Sequence, residues 1–221
     1  NPHSMGAWSS DSKTKVVSME SGDFYGSEKS ITVAEANDVK IEFVAKDGST
    51  TVLKESTPLK AGEIIDSAVL NVNALKSFVA KAIKEAKEQN VLISVHLKAT
   101  MMKVSDPIIF GAIVEVYFKD VFEKYATLFA DLGVDTRNGL GDVYAKIAGK
   151  PEQAEVENAL NQAIESGPAL AMVNSEKGIS NLQVPSDVIV DASMPAMIRS
   201  SGKMYNKEGK LQDTLAIIPD R

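Results

Sequence analysis

The sequence predicts a mixed α/β fold with an antiparallel, β-rich first part. Three observations carry that expectation. Apolar and polar residues alternate with period 2 through much of the first 60 residues, around an Asp47-Gly48 pair. From about residue 73 onward the apolar residues recur at helical spacing. Short, wholly apolar runs then punctuate the helices, as strands buried on both faces do. Strands followed by alternating helices and strands imply a mixed sheet with a parallel portion.

The elements follow in order. Residues 13–19 read as a first strand, and residues 20–27, with Gly22-Asp23-Phe24-Tyr25-Gly26, as a tight turn with an aromatic plug. Ser30-Ile31-Thr32-Val33 and Val39-Lys40-Ile41-Glu42-Phe43-Val44 alternate as half-exposed strands do. Asp47-Gly48 turns the chain into Thr51-Val52-Leu53, because glycine accepts the positive φ of a hairpin turn. Asn73 is the expected cap of a helix running to about Gln89, with Leu75, Phe78, Val79, Ala82, Ile83 and Ala86 on one face. Residues 91–97 form a strand. Ser105-Asp106-Pro107 supplies a cap, an acid and a first-turn proline for a helical stretch to about Gly133, with a break expected near Gly111. Asn138-Gly139-Leu140-Gly141-Asp142 reads as a loop and helix entry, residues 151–166 as an amphipathic helix, and residues 169–173 and 187–190 as short buried strands. Residues 192–201 read as a short helix and residues 215–218 as the last strand. The organisation is a single domain or domain fragment over residues 1–221, divided into a β-rich part (1–60) and an alternating part (61–221).

Composition narrows the chemistry. The 221 residues are 44% apolar and 24% charged, close to the globular average. No cysteine is present, which excludes disulfides, thiolate zinc sites and a cysteine nucleophile and suits a reducing, cytoplasmic compartment. Only His3 and His96 occur, so a multi-histidine metal site cannot form within the chain. A net charge of −6 with no long basic run argues against nucleic acid. No apolar run is long enough for a bilayer, and no secretory signal is visible, so no membrane association is expected. Both ends lack the polar character of terminal tails, so an excised piece of a larger chain is expected.

Ligands of parallel sheets bind beyond the carboxyl ends of the strands, so the residues after each buried strand matter most. Lys98 follows the strand at residues 91–97, on the same face as Ser94 and His96. Asp191 follows the apolar run 188–190, just before a helix. The pair can meet in one crevice, the lysine moving a proton and the aspartate holding a hard cation. The plainer alternative is a solvated strand-end lysine and an ordinary helix cap. Asp187 is a weaker ligand candidate, at the other end of its run. His96 reads as a hydrogen-bonded neighbour of the site. Met101, Met102, Met194 and Met197 read as core fillers, and Trp8 as a packing residue. Glu152, Glu155, Glu157 and Glu165 read as a solvated helix face, and neither glycine pair has the context of a nucleotide loop.

The segments His96-Leu97-Lys98-Ala99-Thr100-Met101-Met102-Lys103-Val104-Ser105-Asp106-Pro107 and Val184-Pro185-Ser186-Asp187-Val188-Ile189-Val190-Asp191-Ala192-Ser193-Met194-Pro195-Ala196-Met197-Ile198-Arg199 are long and unusual. With Met5-Gly6-Ala7-Trp8-Ser9, Gly22-Asp23-Phe24-Tyr25-Gly26, Asn138-Gly139-Leu140-Gly141-Asp142, Met172-Val173-Asn174-Ser175 and Asn1-Pro2-His3, they resemble the monomeric type of NADP-dependent isocitrate dehydrogenase from end to end. The resemblance implies an internal stretch of the large domain, with an isocitrate/isopropylmalate dehydrogenase-like fold. It implies oxidation of isocitrate with NADP and loss of CO2 to give 2-oxoglutarate, using Mg2+ or Mn2+, in the tricarboxylic acid cycle or glyoxylate bypass. It further implies that Lys98 matches the family's catalytic lysine and Asp191 one of its metal-ligating aspartates. The family's substrate-clamping Ser, Asn and Arg residues fall upstream of Asn1. Its catalytic tyrosine, second metal-binding aspartate and NADP contacts fall downstream of Arg221. The partners implied are isocitrate and the remainder of the longer chain, and the isolated segment is expected to be inactive. The alternative is a non-catalytic binding or assembly module that self-associates through edge strands of its β-rich part.

Overall fold

The computed structural model describes residues 5–221; Asn1-Pro2-His3 lies outside them. Its centre is a sheet of β1 (Lys15–Val17), β10 (Leu211–Ile217) and β6 (Leu92–Val95), in that order and all parallel, with β9 (Lys203–Tyr205) antiparallel to the first half of β10. Leu215 lies between Lys15 and Ile93 across the three strands. Residues 92–95 and 214–217 are buried throughout rather than alternately, as a sheet covered on both faces requires. A parallel bridge from Ile93 to Leu170 extends the β6 edge.

Helices cover this sheet. Helix α2 (Val72–Gln89) follows the short α1 (Phe24–Ser27) and lays Leu75, Val79, Ala82 and Ala86 into the core. Its cap is Asn71 rather than Asn73: the Asn71 side chain accepts from the Ala74 N–H at 3.0 Å. Periodicity sets the buried face but leaves the phase of the first turn open, and Val72 already has helical hydrogen bonding. The chain then passes through α3 (Ser105–Tyr117), α4 (Lys119–Lys124) and α5 (Ala126–Leu132). The breaks in this stretch fall at Phe118 and Tyr125, not at Gly111, where each residue turns its ring into the core (1% and 8% exposed). After a 3-10 turn (Thr136–Asn138), α6 (Leu140–Ile147) and α7 (Gln153–Ser166) close that side.

Gly111 serves close packing instead. A Cβ there would sit 2.8 Å from Thr136 Oγ1 and 3.0 Å from the Arg137 backbone nitrogen. Gly111→Ala, which in an open helix would gain about 1 kcal/mol of propensity, is expected to destabilise the protein by about 1–3 kcal/mol through overpacking. Urea unfolding checks the sign, and a gain in stability would contradict this packing account.

The β-rich part runs to Ser67. It contains β2 (Lys29–Thr32) paired antiparallel with β5 (Ile64–Ser67), and a ribbon of β3 (Asn37–Val44) with β4 (Thr50–Leu59). The ribbon turns at Asp47-Gly48, where Gly48 has φ +85° and Ala45 N–H donates to Ser49. Ile41, Phe43, Val44 and Leu53 stay exposed on it. No described helix is long and apolar enough to cross a membrane.

Several side chains depart from expectation. Residues 187–190 are not a strand, because residues 169–171 already occupy that edge: Ile93 N–H donates to Ala169 and Ala171 N–H to Ile93. The apolar run keeps one bond to the strand continuation, from Val190 N–H to the Leu97 carbonyl at 2.8 Å, and Val188 is exposed. Val190 instead begins α8 (Val190–Arg199). Of the methionines, Met197 is buried, but Met101 and Met102 are exposed in the turn after Lys98. Trp8 is half exposed and rests against Gly202, leaving no room there for a Cβ. Residues 172–174 pair with β8 (Ile179–Ser180) as the strand β7 (Met172–Asn174).

Candidate functional site

The carboxyl end of β6 delivers Lys98. His96 N–H still donates to the Ile217 carbonyl, so the strand stays docked until two residues before the lysine. The Lys98 backbone is then gripped from both sides. Its N–H donates to Asp106 Oδ2 at 2.7 Å, and its carbonyl accepts from Met101 and Met102. Asp106 is 8% exposed and stands in the first turn of α3, where a carboxylate suits the helix dipole. Its other oxygen accepts from Ser105 Oγ at 3.0 Å. The sequence marked Asp106 only as a helix opener; its position eight residues beyond Lys98 was the available signal. Asp106→Ala is expected to cost about 1–3 kcal/mol, the penalty of an orphaned, partly buried N–H. Urea unfolding of the protein measures it, and an unchanged midpoint would contradict the role.

Asp191 arrives from the opposite side, in the first turn of α8. It does not exit a strand as expected but begins a helix, and from there it reaches Lys98. Lys98 Nζ lies 2.8 Å from Asp191 Oδ2, with side chains 26% and 54% exposed. The Lys98 hydrogen bond, with help from the aspartate's own backbone N–H, holds the Asp191 carboxyl below the usual carboxylate range. Pro195 follows four residues later and has no N–H to give the Asp191 carbonyl. The two elements are also tied by the Val190–Leu97 bond.

His96 sits behind this pair, 3% exposed. One ring nitrogen, Nε2, is 2.9 Å from Ser94 Oγ, and the other, Nδ1, is 2.8 Å from Ser193 Oγ in α8. Burial pushes its pKa down to about 4, so the ring is neutral near pH 7. A pocket of ≈ 300 Å³ opens beside it, lined by Ser193, Asn181 and Ser186 among apolar groups. A larger cavity of ≈ 990 Å³ lies at the other, amino ends of the strands, against Asn90, Val91 and Asp213, and neither Lys98 nor Asp191 lines it.

Among the described residues no group of three His, Cys, Asp or Glu side chains converges to hold a metal. Asp191 is a single oxygen donor paired with an amine, so these residues alone do not build a divalent-cation site. Asp187 is exposed and takes no part in the pair. The arrangement offers an amine for proton transfer and one carboxylate oxygen, both open to solvent at the sheet's carboxyl edge.

The family model described as monomeric isocitrate dehydrogenase matches residues 1–221. The chain is similar to the NADP isocitrate dehydrogenase of Azotobacter vinelandii, 59% identical over 223 residues, covering 100% of this chain and 30% of that protein. It is 57% identical to isocitrate dehydrogenase [NADP] 2 of Colwellia maris, over 100% of this chain and 30% of that one. Isocitrate dehydrogenase [NADP] 2 of Mycobacterium tuberculosis is 51% identical over the same shares. The chain thus spans about 30% of the length of the curated relatives it matches.

Proposed function

The chain belongs to the monomeric isocitrate dehydrogenase family, and on that premise we propose that it supplies one wall of an active centre that oxidises isocitrate with NADP and releases CO2 to form 2-oxoglutarate. The observation that carries this reading is the 2.8 Å contact between Lys98 and Asp191 at the carboxyl ends of the parallel strands. The substrate and NADP come from the names of the relatives. The remaining side chains of the centre belong to the rest of the longer protein.

In this proposal Lys98 is the proton-handling residue. The Lys98 side chain lies where the neutral amine would accept the substrate hydroxyl's proton, and where the ammonium so formed would return a proton and favour negative charge on that oxygen. The Asp106 carboxylate and the N–H groups of Met101 and Met102 fix the lysine's backbone, so the amine swings on a rigid base. Asp191 would contribute one oxygen to a Mg2+ or Mn2+ ion whose other ligands come from outside these residues. When bound, that cation would supply Lewis-acid stabilisation of negative charge on the substrate oxygen. A cytoplasmic enzyme of the tricarboxylic acid cycle or glyoxylate bypass fits this chemistry and the absence of cysteine.

The test is NADPH formation by the full-length protein with isocitrate and Mn2+. Asp191→Asn is expected to raise the Mn2+ concentration for half-maximal rate by roughly 10-fold or more; an unchanged requirement would refute the ligand role. The isolated 221-residue chain is expected to form no NADPH under the same conditions, and steady turnover by it would refute the reading of a partial centre.

A further inference from the structure

Two backbone elements must be held in register for Lys98 and Asp191 to meet, and the ion pair is too exposed to do this itself. Surface pairs contribute little in water. Among the described residues one backbone hydrogen bond, Val190–Leu97, ties α8 to the continuation of the strand, and a single bond does not by itself fix the rotation of the helix's first turn. A second, part-buried side-chain contact joins the strand's continuation to α8: His96 Nδ1 to Ser193 Oγ, 2.8 Å long. His96 lies two residues before Lys98, and Ser193 two residues after Asp191.

We infer that His96 and Ser193 are positioning residues that set the first turn of α8 against the end of β6 and thereby place Asp191 on Lys98. The inference rests on the proposed function above. The ring is anchored from behind by Ser94 Oγ at 2.9 Å, so it acts as a strut between β6 and α8. Both serines are hydroxyls that donate or accept, so a neutral ring with one N–H and one lone pair satisfies both in either tautomer. Ser94 and His96 are fully or almost fully buried, at 0% and 3% exposure, which makes the strut's inner end rigid. The ≈ 300 Å³ pocket beside the ring borders Ser193 and Ala196, so α8 has room to shift inward once the contact is lost.

The test uses a matched pair of substitutions in the full-length enzyme, assayed with isocitrate, NADP and Mn2+. Ser193→Thr keeps the hydroxyl. Ser193→Val has the same branched shape without it, so helix propensity and volume change alike in the two. With positioning, the valine variant loses kcat/KM by roughly 10–100-fold, through both a lower kcat and a higher KM for isocitrate, as a misplacement near 1 Å produces. The threonine variant stays within about 3-fold of the parent. His96→Asn, whose amide can still reach Ser193, is expected to retain more activity than His96→Leu. Circular dichroism and thermal melting report folding of every variant. If threonine and valine variants behave alike, whether both active or both impaired, positioning is refuted. Lys98→Met is the control for the underlying reading: if it retains normal turnover, that reading fails on its own, separately from the serine pair.

Discussion

Replacing Lys98 by methionine in the full-length protein is expected to lower turnover by about 10²–10⁴-fold, the usual share of a positioned proton-transfer group. Methionine keeps an unbranched chain of similar reach and removes the amine, so packing changes little. The Asp191 carboxylate, 54% exposed, then faces water rather than a dry pocket. Breaking an exposed pair typically costs no more than about 1 kcal/mol, so melting should barely move. The backbone grip on residue 98 by Asp106 does not involve the side chain and survives. A large loss of rate with an unchanged melting curve is therefore the expected signature. Rates within a few-fold of the parent would remove Lys98 from the chemistry.

The largest stability effect is expected at Asp23, which is not part of that pair. Its carboxylate is fully buried. It accepts from Gly26 N–H at 3.0 Å, from Arg221 Nε at 2.8 Å and Nη2 at 3.0 Å, and from the Arg221 backbone. This cluster pins the first turn-rich segment to the chain following β10. Asp23→Ala removes the cap of α1 and the carboxylate that the Arg221 guanidinium bonds; because that guanidinium is 37% exposed and can turn to water, the expected cost is about 2–4 kcal/mol, from the lost cap and the lost charged hydrogen bonds. The pH dependence has a definite sign. The Arg221 guanidinium, aided by the backbone N–H of Gly26, holds the Asp23 carboxyl well below its usual range. A depressed folded pKa means the unfolded chain takes up protons first, so stability from this group is complete above about pH 4 and falls as pH drops through the lower folded value. Urea unfolding from neutral to acid pH should show the parent losing stability faster than Asp23→Asn on the acid side. Parallel curves would refute the assignment.

The sheet and its helices were largely legible in the sequence, because apolar runs such as 91–93 and 215–217 and the stripe from Leu75 to Ala86 report burial directly. What failed were features decided by neighbours far along the chain. Residues 187–190 have strand composition, but the edge they would join is filled by residues 169–171. Gly111 looks like a helix breaker until the turn at Thr136 is seen against it. The candidate site shows both sides of this. Lys98 was singled out by its place after a buried strand, and that placement holds. Asp191 was singled out as the end of a strand that does not exist; a helix start at the same place brings its carboxylate to Lys98 instead. Asp106, Ser193 and the Asp23–Arg221 pair escaped notice because a single buried polar contact leaves no periodic trace in sequence.

The most direct measurement of the central claim is a crystal structure of the full-length protein with isocitrate and Mn2+, the cation located by its anomalous scattering. The account predicts isocitrate at the carboxyl ends of β6 and β10, with Lys98 Nζ within hydrogen-bond reach of its hydroxyl and an Asp191 oxygen in the cation's coordination shell. Substrate and cation bound elsewhere, for example in the cavity between Asn90 and Asp213 at the strands' amino ends, with Lys98 and Asp191 still facing only each other, would contradict it.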